Sequence, residues 1–351
     1  MKGRSVILGE HQGLTAAALM VDGQLEDLLI DQGGALAPGA ICRAVVDRLV
    51  KGQGGVFLRL PEGERGFLRE KGGMREGQRL LVQVSGVAEA GKAVPVSARL
   101  LFRGRYVIVT PSAPGVNVSR RLRDPDLRAE LTALGESALI AQAEGARPGL
   151  IFRSACVHAD PAAIAAELDA LLSLSQAILA DTEGEPELLL DAPDPHEAAT
   201  LDWADPEPDS VDSAPDAFEH SGAAAAVDAL LDEEFALPGG GWIAIEATRA
   251  MVTVDVNTGA DTSPAAALKA NIAAARALPR QLRLRGLGGQ GAVDFAPCPN
   301  RDRGTRDQVL RAAFKAEGTE TALIGWTAMG LYELSRKRDR VALTQLLGGG
   351  R

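Results

Sequence analysis

Two short apolar runs in the last third of the chain each end on an aspartate, and they constrain the fold more than any other feature. Residues 252–254, Val-Thr-Val, lead into Asp255, and residues 291–293, Gly-Ala-Val, lead into Asp294. Runs of this length and composition predict strands, and the alanine-rich stretch between them, residues 265–278, predicts a helix. This order predicts an α/β region with one carboxylate near the end of each of two neighbouring strands.

The two aspartates are predicted at the ends of buried strands, where charge is costly. An ionised carboxylate in such a place costs several kcal/mol unless it is compensated, and a bound cation is one common compensation. Asn257 follows Asp255 by two residues, and an arginine-rich turn follows the helix. Two carboxylates, an amide and arginines suit a hard, oxygen-liganded metal ion that acts on a phosphodiester. In the alternative interpretation, both aspartates only cap strand ends through hydrogen bonds.

Charge is segregated along the chain. The formal net charge is −10, but residues 154–248 contain 22 Asp and Glu and not one Lys or Arg. The other residues hold all 37 basic side chains and 25 acidic ones, a net charge of +12. This asymmetry is typical of an RNA-binding protein with one segment that does not bind. Within the acidic part, the Pro, Asp and Ala content of residues 181–236 is typical of a linker or a weakly ordered segment.

Length and composition limit the class of protein. The 351 residues are 46% hydrophobic and 24% charged, which is typical of a soluble globular chain with two or three domains. A signal-peptide pattern and a run of about 18 apolar residues are both missing, so we expect a cytoplasmic protein without a membrane span. The three scattered cysteines, Cys42, Cys156 and Cys298, argue against a disulfide framework and against a CxxC metal site.

Five short strand-like runs separated by glycines lie within residues 36–100. They predict a small five-stranded barrel of the OB-fold type. Phe57 and Phe67 fall on its second and third strands. On such barrels, exposed aromatic side chains stack on bases and neighbouring Lys and Arg follow the backbone. The alternative is that both rings belong to the core of the barrel.

A basic cluster and an Arg-Ser pair follow the predicted barrel. Residues 101–123 hold a strand, a turn and several arginines, among them Arg120 and Arg121. After a predicted helix at residues 127–143, a further strand ends in Arg153 and Ser154. A guanidinium that binds bidentately, next to a hydroxyl donor, suits a terminal phosphomonoester. A surface salt bridge is the alternative for such a pair.

Together these motifs resemble the bacterial ribonuclease E/G endoribonucleases. The resemblance rests on AIEATRAMVTVDVNTG followed by RQLRLRGLGGQGAVDF, on the GLI-x-R-S-A stretch, and on the barrel sequence from PGAICRAVV to MREGQRLLVQV. It implies an α/β (α+β) fold of several subdomains. These are an OB-fold (S-one-type) β-barrel (36–100) inserted into a shortened ribonuclease-H-like structural subdomain (1–35 with 184–237), a 5′-phosphate sensor-like region (101–183) and a DNase-I-like α/β catalytic domain (238–351).

The resemblance also implies roles for individual residues. Asp255 and Asp294 would bind one Mg²⁺, or Mn²⁺ in its place, and Asn257 would orient Asp255 or the metal-bound water. The Arg-Ser pair would sense a 5′-phosphate, and the products would carry a 5′-phosphate and a 3′-hydroxyl. The residues expected to contact RNA are Phe57, Phe67, Arg120, Arg121, Arg153, Ser154, Arg336 and Arg338.

Three departures from the family pattern bear on these expectations. Pro279 stands inside the helix before RQLRLR, so that helix is expected to kink or end there. Pro297 replaces an acidic residue just after the VDF motif. The chain ends at LLGGGR without a CPxCxG motif, so we expect neither zinc nor a zinc-linked oligomer.

The sequence therefore favours a metal-dependent endoribonuclease that cleaves single-stranded RNA in RNA processing or decay, with RNA-decay proteins as candidate partners and no membrane partner. Two alternatives remain open at this point. One is an RNA-binding protein of the same family with weak or no cleavage activity. The other is a structural partner in an RNA-processing complex, in which the acidic segment docks a basic protein.

Overall fold

The computed structural model describes residues 3–34, 36–50, 54–69, 73–89, 91–141, 147–299 and 302–348. Within these ranges the chain is mixed α/β, and its strands form four sheets. We refer to them in chain order as the N-terminal sheet, the barrel, the middle sheet and the C-terminal sheet.

The N-terminal sheet is an antiparallel meander joined by one strand from the acidic segment. Its strands are β1 (Arg4–His11), β2 (Leu14–Val21), β3 (Gln24–Ile30) and β14 (Ser210–Asp212), which pairs parallel to β1. Helices α3 (Pro195–Asp202), α4 (Ala217–His220) and α5 (Ala223–Asp228) pack against this sheet. The acidic segment is thus regularly folded, in contrast to the linker that its composition predicts.

The barrel confirms the prediction of five strands. They are β4 (Ile41–Val50), β5 (Gly55–Arg59), β6 (Arg65–Leu68), β7 (Arg79–Val84) and β8 (Val94–Ser97). They pair in the order β4-β5-β6-β8-β7, and a pairing of β4 with β7 closes the sheet. Strand β13 (Glu187–Leu190), which we expected beside the N-terminal strands, pairs with β4 instead. Leu188 packs against the barrel core and Glu187 pairs with the buried Arg43, which explains this position.

The middle sheet carries two long helices. Its strands are β9 (Phe102–Arg103), β10 (Val107–Thr110), β11 (Gly115–Val118) and β12 (Gly149–Phe152), and its helices are α1 (Pro125–Ala141) and α2 (Pro161–Ala180). Within the described ranges, α2 alone is long and apolar enough to cross a membrane, judged by length and composition. Its residues Ile164, Leu168 and Leu172 are buried in the core of this sheet, and Glu167 accepts three backbone N–H groups. One face of α2 thus packs against the middle sheet, and the other face is exposed.

The C-terminal sheet has six strands in the order β15-β16-β17-β18-β20-β19. The strands are β15 (Glu234–Leu237), β16 (Gly241–Ala247), β17 (Val252–Asn257), β18 (Gly289–Asp294), β19 (Thr321–Trp326) and β20 (Tyr332–Arg336). Helices α6 (Pro264–Leu284) and α7 (Arg303–Ala316) belong to the same region, and the short α8 (Leu343–Leu346) packs on the N-terminal sheet. The core of this region includes residues of α6, α7 and alternate strand positions.

Two sequence expectations for this region need correction. Of the kink or end expected at Pro279, the end does not occur, because α6 continues to Leu284. The buried neighbours Leu278 and Leu282 hold the helix in the core, and this packing outweighs the roughly 3 kcal/mol penalty of an interior proline. Residues 329–343, whose sequence predicts a final helix, instead contain strand β20, whose residues alternate between buried and exposed, the period of a strand.

Candidate active site

Asp255 and Asp294 lie side by side. Strand β17, helix α6 and strand β18 form a parallel βαβ unit, and the register of the two strands makes Asp255 and Asp294 direct partners. Adjacent strands lie about 4.8 Å apart and partners in register point to the same face. The side chains of Val254 and Val293, one residue earlier in each strand, point to the opposite face and are buried in the core. The two carboxylates therefore meet on the face opposite the core, which we call the open face.

The carboxylates are exposed, which corrects the expectation of a costly buried charge. The strands are buried on one face only, so an aspartate at an outward position keeps its contact with water. Asn257 lies on the same face, and its Nδ2 donates a hydrogen bond of 2.9 Å to Oδ2 of Asp255. The amide is thus placed to fix the orientation of one of the two carboxylates.

The open face of the C-terminal sheet is acidic. No lysine or arginine occupies it within strands β15–β20, since Arg336, their one basic residue, is buried in β20. Register places five carboxylates on this face: Glu234, Glu246, Asp255, Asp294 and Glu333. Such a surface attracts cations and repels phosphate unless a cation intervenes.

The donor set fits a hard cation. Mg²⁺ is usually bound by one or two carboxylates and retains several waters, and Asp255 and Asp294 offer two carboxylates on an exposed face. In the described ranges, no group of three or more His, Cys, Asp and Glu residues is arranged to hold a metal. Thiolate ligation finds no support in Cys42 and Cys156, because burial raises the pKa of each thiol to about 11.

Asn271 holds the chain immediately after Asp294. This side chain on α6 is fully buried; its Oδ1 accepts from the N–H of Ala296 at 2.9 Å and its Nδ2 donates to the carbonyl of Ala296 at 2.8 Å. The paired bonds fix the backbone two residues beyond Asp294, next to the exposed Pro297. Our sequence analysis missed Asn271, although an amide in the apolar stripe of a helix was the available signal.

Arginines and aromatic rings lie next to the strand end that carries Asp294. Phe295 and Trp326 are 5.7 Å apart by ring centroids. The guanidinium of Arg306 lies over both rings, and that of Arg303 lies 5.0 Å from the centroid of Trp326. These cation–π contacts hold Arg303 and the buried Arg306 against rings that pack with the core, on the side of the sheet opposite the open face.

The arginines of the RQLRLR motif have partners away from the carboxylate pair. Arg280 donates to the carbonyl of Leu25 in β3, and Arg285 donates to the carbonyls of Leu230 and Asp232. Arg283 pairs with acidic residues of β3 and with Glu317. These arginines attach the C-terminal sheet to the N-terminal part of the chain.

Arg336 and Arg338, which we expected at the RNA, also have structural partners. Arg336 is 3% exposed and pairs with Glu317 at 3.1 Å. Arg338 pairs with Glu89 of the loop between β7 and β8, and its carbonyl accepts from Val87. Neither guanidinium lies on the open face.

Phe57 and Phe67 form a cross-strand pair on the barrel. They are direct partners in β5 and β6, with ring centroids 5.4 Å apart, and both are half-buried. The guanidinium of Arg48 lies 4.7 Å from the centroid of Phe57. The cluster therefore has the composition of a stacking platform, two rings with a cation beside them.

The remaining predicted residues lie near the middle sheet. Arg120 is exposed, whereas Arg121 pairs with Asp205 at 3.2 Å. Arg153 donates to the carbonyl of Gly104 at 2.7 Å, and Ser154 donates to Asp205. Arg121 and Ser154 thus share Asp205 as a partner, and the predicted residues of this region lie beside the middle sheet rather than on the sheet of Asp255 and Asp294.

The sequence of this chain is similar to the sequences of known ribonucleases. The sequence model of the Ribonuclease E/G family matches residues 102–214 and 207–339. Among curated proteins, ribonuclease E of Nostoc sp. is 28% identical over 99% of this chain and 57% of its own length. Ribonuclease E of Synechocystis sp. is 26% identical, covering 99% of this chain and 58% of its own length. Ribonuclease G of Escherichia coli is 28% identical, covering 78% and 62%.

The chain thus spans somewhat more than half the length of these relatives. The family match covers the strands of the middle sheet, the whole acidic segment (residues 181–236) and all six strands of the C-terminal sheet, including the aspartate pair. The chain belongs to the ribonuclease E/G family.

Proposed function

We propose that this protein is an endoribonuclease that cleaves single-stranded RNA at internal sites with the help of Mg²⁺, leaving a 5′-phosphate and a 3′-hydroxyl. One observation carries the proposal: Asp255 and Asp294 are register partners on an exposed, acidic face, with Asn257 bonded to Asp255. The family membership and the names of the relatives support the same reaction class.

The proposed roles follow from position. Asp255 and Asp294 would hold the ion, and Asn257 would keep the Asp255 carboxylate turned towards it. When bound, Mg²⁺ would neutralise charge on the scissile phosphate and lower the pKa of a water molecule. Arg303, which is only partly buried, would attract the phosphates that flank the cleavage site, and the buried Arg306 would hold the Trp326 ring in place beside it.

The barrel would contribute binding rather than chemistry. Phe57 and Phe67 would stack on bases, with Arg48 near the backbone, and this form of binding tolerates many sequences. An RNA-binding protein with weak cleavage is the second candidate, because these rings and Arg48 would support binding whether or not the aspartate pair is active.

The test is cleavage of a short A/U-rich single-stranded RNA, labelled at its 3′ end, with and without Mg²⁺. Substituting either ligand, Asp255→Asn or Asp294→Asn, is expected to lower kcat/KM by roughly 100-fold or more, because a ligand of the ion is lost. Products that RNA ligase joins without prior kinase treatment carry the expected 5′-phosphates.

Glu320→Gln is the matched control. Glu320 is exposed and immediately precedes β19, at the opposite edge of the same sheet, so its loss should leave cleavage unchanged. Equal cleavage by wild type and both aspartate variants would overturn the site. RNA binding without any cleavage by the wild type would favour the second candidate.

A further inference from the structure

Four donors from the middle sheet and its loops lie against one short segment of the chain, residues 202–205. Arg103 lies on β9, Arg153 and Ser154 directly follow β12, and Arg121 precedes α1. Three guanidinium groups and a hydroxyl form a site for a small anion with several oxygens, such as a terminal phosphate. For an RNA-cleaving enzyme, such a site would read the 5′ end of the substrate.

Two carboxylates of the chain itself occupy this position. Asp202 pairs with Arg103 and lies 3.6 Å from Arg153. Asp205 accepts from Arg121 at 3.2 Å and also from the hydroxyl of Ser154. All four donors are thus engaged by two carboxylates that lie three residues apart.

The segment that presents the carboxylates is anchored between them. Trp203 is buried against the N-terminal sheet, and its Nε1 donates to Asp27 at 3.1 Å. Its carbonyl accepts from Arg4 at 3.2 Å. The tryptophan therefore fixes the backbone that carries Asp202 and Asp205, so both carboxylates are presented with little loss of entropy.

The position of Asp202 is not explained by its own helix. It is the last residue of α3, where the helix dipole disfavours negative charge. The nearby guanidinium groups of Arg103 and Arg153 compensate for this cost. Asp202 is thus stabilised by the anion site rather than by its local structure.

We propose that Asp202 and Asp205 are internal ligands of this anion site and exclude the terminal phosphate of RNA, so that cleavage does not depend on the 5′ end. A tethered carboxylate competes at an effective concentration in the millimolar range or above, far above that of any RNA terminus. Asp202 and Asp205 then determine that the enzyme binds its substrates at internal sites and does not select them by the 5′ end. The inference rests on the proposed ribonuclease function.

The experiment compares two RNAs of one sequence, one with a 5′-monophosphate and one with a 5′-hydroxyl. Wild type should cleave both with equal kcat/KM. The double variant Asp202→Asn with Asp205→Asn keeps the size of both side chains but removes their charge. It should favour the monophosphorylated RNA by about tenfold, the effect of a gained charge-assisted hydrogen bond.

Binding gives a readout that does not need activity. In an Asp255→Asn background, fluorescence anisotropy should show equal affinity for the two RNAs, and the two added asparagines should raise affinity for the monophosphorylated RNA alone. Glu207→Gln removes an exposed charge from the same segment, outside the pairs described above, and should create no preference. A failure of the proposed ribonuclease activity would abolish cleavage but leave this binding comparison intact.

Three outcomes would overturn the inference. Wild type could already prefer the 5′-monophosphate, in either assay. The double variant, with the circular dichroism and melting curve of the wild type, could show no preference. Its affinity could also rise equally for both RNAs, which would mean that only general repulsion of RNA was removed.

Discussion

Asp255 and Asp294 gain their proposed role from their relation to each other rather than from an unusual environment. Each is an exposed carboxylate at an outward strand position. Parallel register makes them neighbours, and the other carboxylates of the open face add to the local negative potential. The hydrogen bond from Asn257 then restricts how one of them can rotate. The proposed site therefore depends on how the two carboxylates are oriented, and not on how deeply they are buried.

The effect of Asn257 can be measured. Asn257→Ala removes the donor to Asp255 and should raise the Mg²⁺ concentration that gives half-maximal cleavage by roughly 10–100-fold, as loss of a partner that orients a metal ligand does. A Mg²⁺ titration of cleavage measures this shift. Part of the lost activity should return at high Mg²⁺. An unchanged titration curve would show that Asn257 does not act through the carboxylate.

Among the elements, helix α6 connects the two strands that carry Asp255 and Asp294, and it must stop in the correct place. Its end is a Schellman motif, in which Leu287 N–H bonds to the carbonyl of Leu282 and Gly286 N–H bonds to that of Arg283. Gly286 has φ +64°, and a β-carbon there would overlap the carbonyl oxygen of Val341. The turn places Gly289 at the start of β18, and through it sets the register of Asp294.

The same substitution at two glycines should have opposite effects. Gly286→Ala should lower the free energy of unfolding by about 1–3 kcal/mol, because the left-handed backbone and the close carbonyl both oppose a side chain. Gly304→Ala, in the helical backbone of α7 with open space around it, should raise that free energy by up to about 1 kcal/mol. Urea unfolding of both variants measures the difference. Equal effects at the two positions would contradict the assignment of the turn.

On the scale of the whole molecule, buried ion pairs join the N-terminal sheet to the C-terminal sheet. Asp27 of β3 contacts Arg340 at 2.7 Å and Arg283 of α6 at 3.3 Å. Glu317, which is almost completely buried, pairs with both Arg283 and Arg336. Arg283, Arg336 and Arg340 thus form ion pairs within the protein. Removing one partner would leave an uncompensated charge, which is strongly destabilising.

This network predicts a pH dependence of stability. Burial alone would raise the pKa of Asp27, but Arg340 and Arg283 outweigh it, and the pKa lies below its ordinary value of 3.8. Because the folded state holds the proton less tightly than the unfolded state, Asp27 stabilises the fold above pH 3.8, and this contribution is lost as the pH falls through the lowered pKa.

Asp27→Asn tests that prediction. The variant should be less stable than wild type at neutral pH, and its stability should fall less steeply in the acid range, because one titrating group is gone. Urea unfolding midpoints from neutral to acid pH give both curves. Parallel curves for the two proteins would show that another group causes the acid dependence.

Patterns of local sequence were enough to predict several helices and strands. Alternating or continuous apolar runs predicted the five barrel strands and β17 and β18, since burial of one or both faces leaves a direct record in the sequence. The same reasoning was wrong for β20, where glycine and charged residues hid a period of two. It was also wrong in allowing α6 to end at Pro279, because tertiary packing outweighed the local tendency of proline to end a helix.

The sequence by itself predicted the family, the barrel and two strands that each carry an aspartate, because each of these depends on residues close together in the chain. Only the tertiary structure decided which arginines are available to contact RNA. Arg336 and Arg338 look like RNA contacts in the sequence, yet both pair with carboxylates far away in the chain. The carboxylates Asp202 and Asp205 lie in a segment that appeared to be a linker, yet they reach the predicted phosphate site. Ion pairs form between surfaces that only folding brings together, so a linear pattern of charge cannot reveal them.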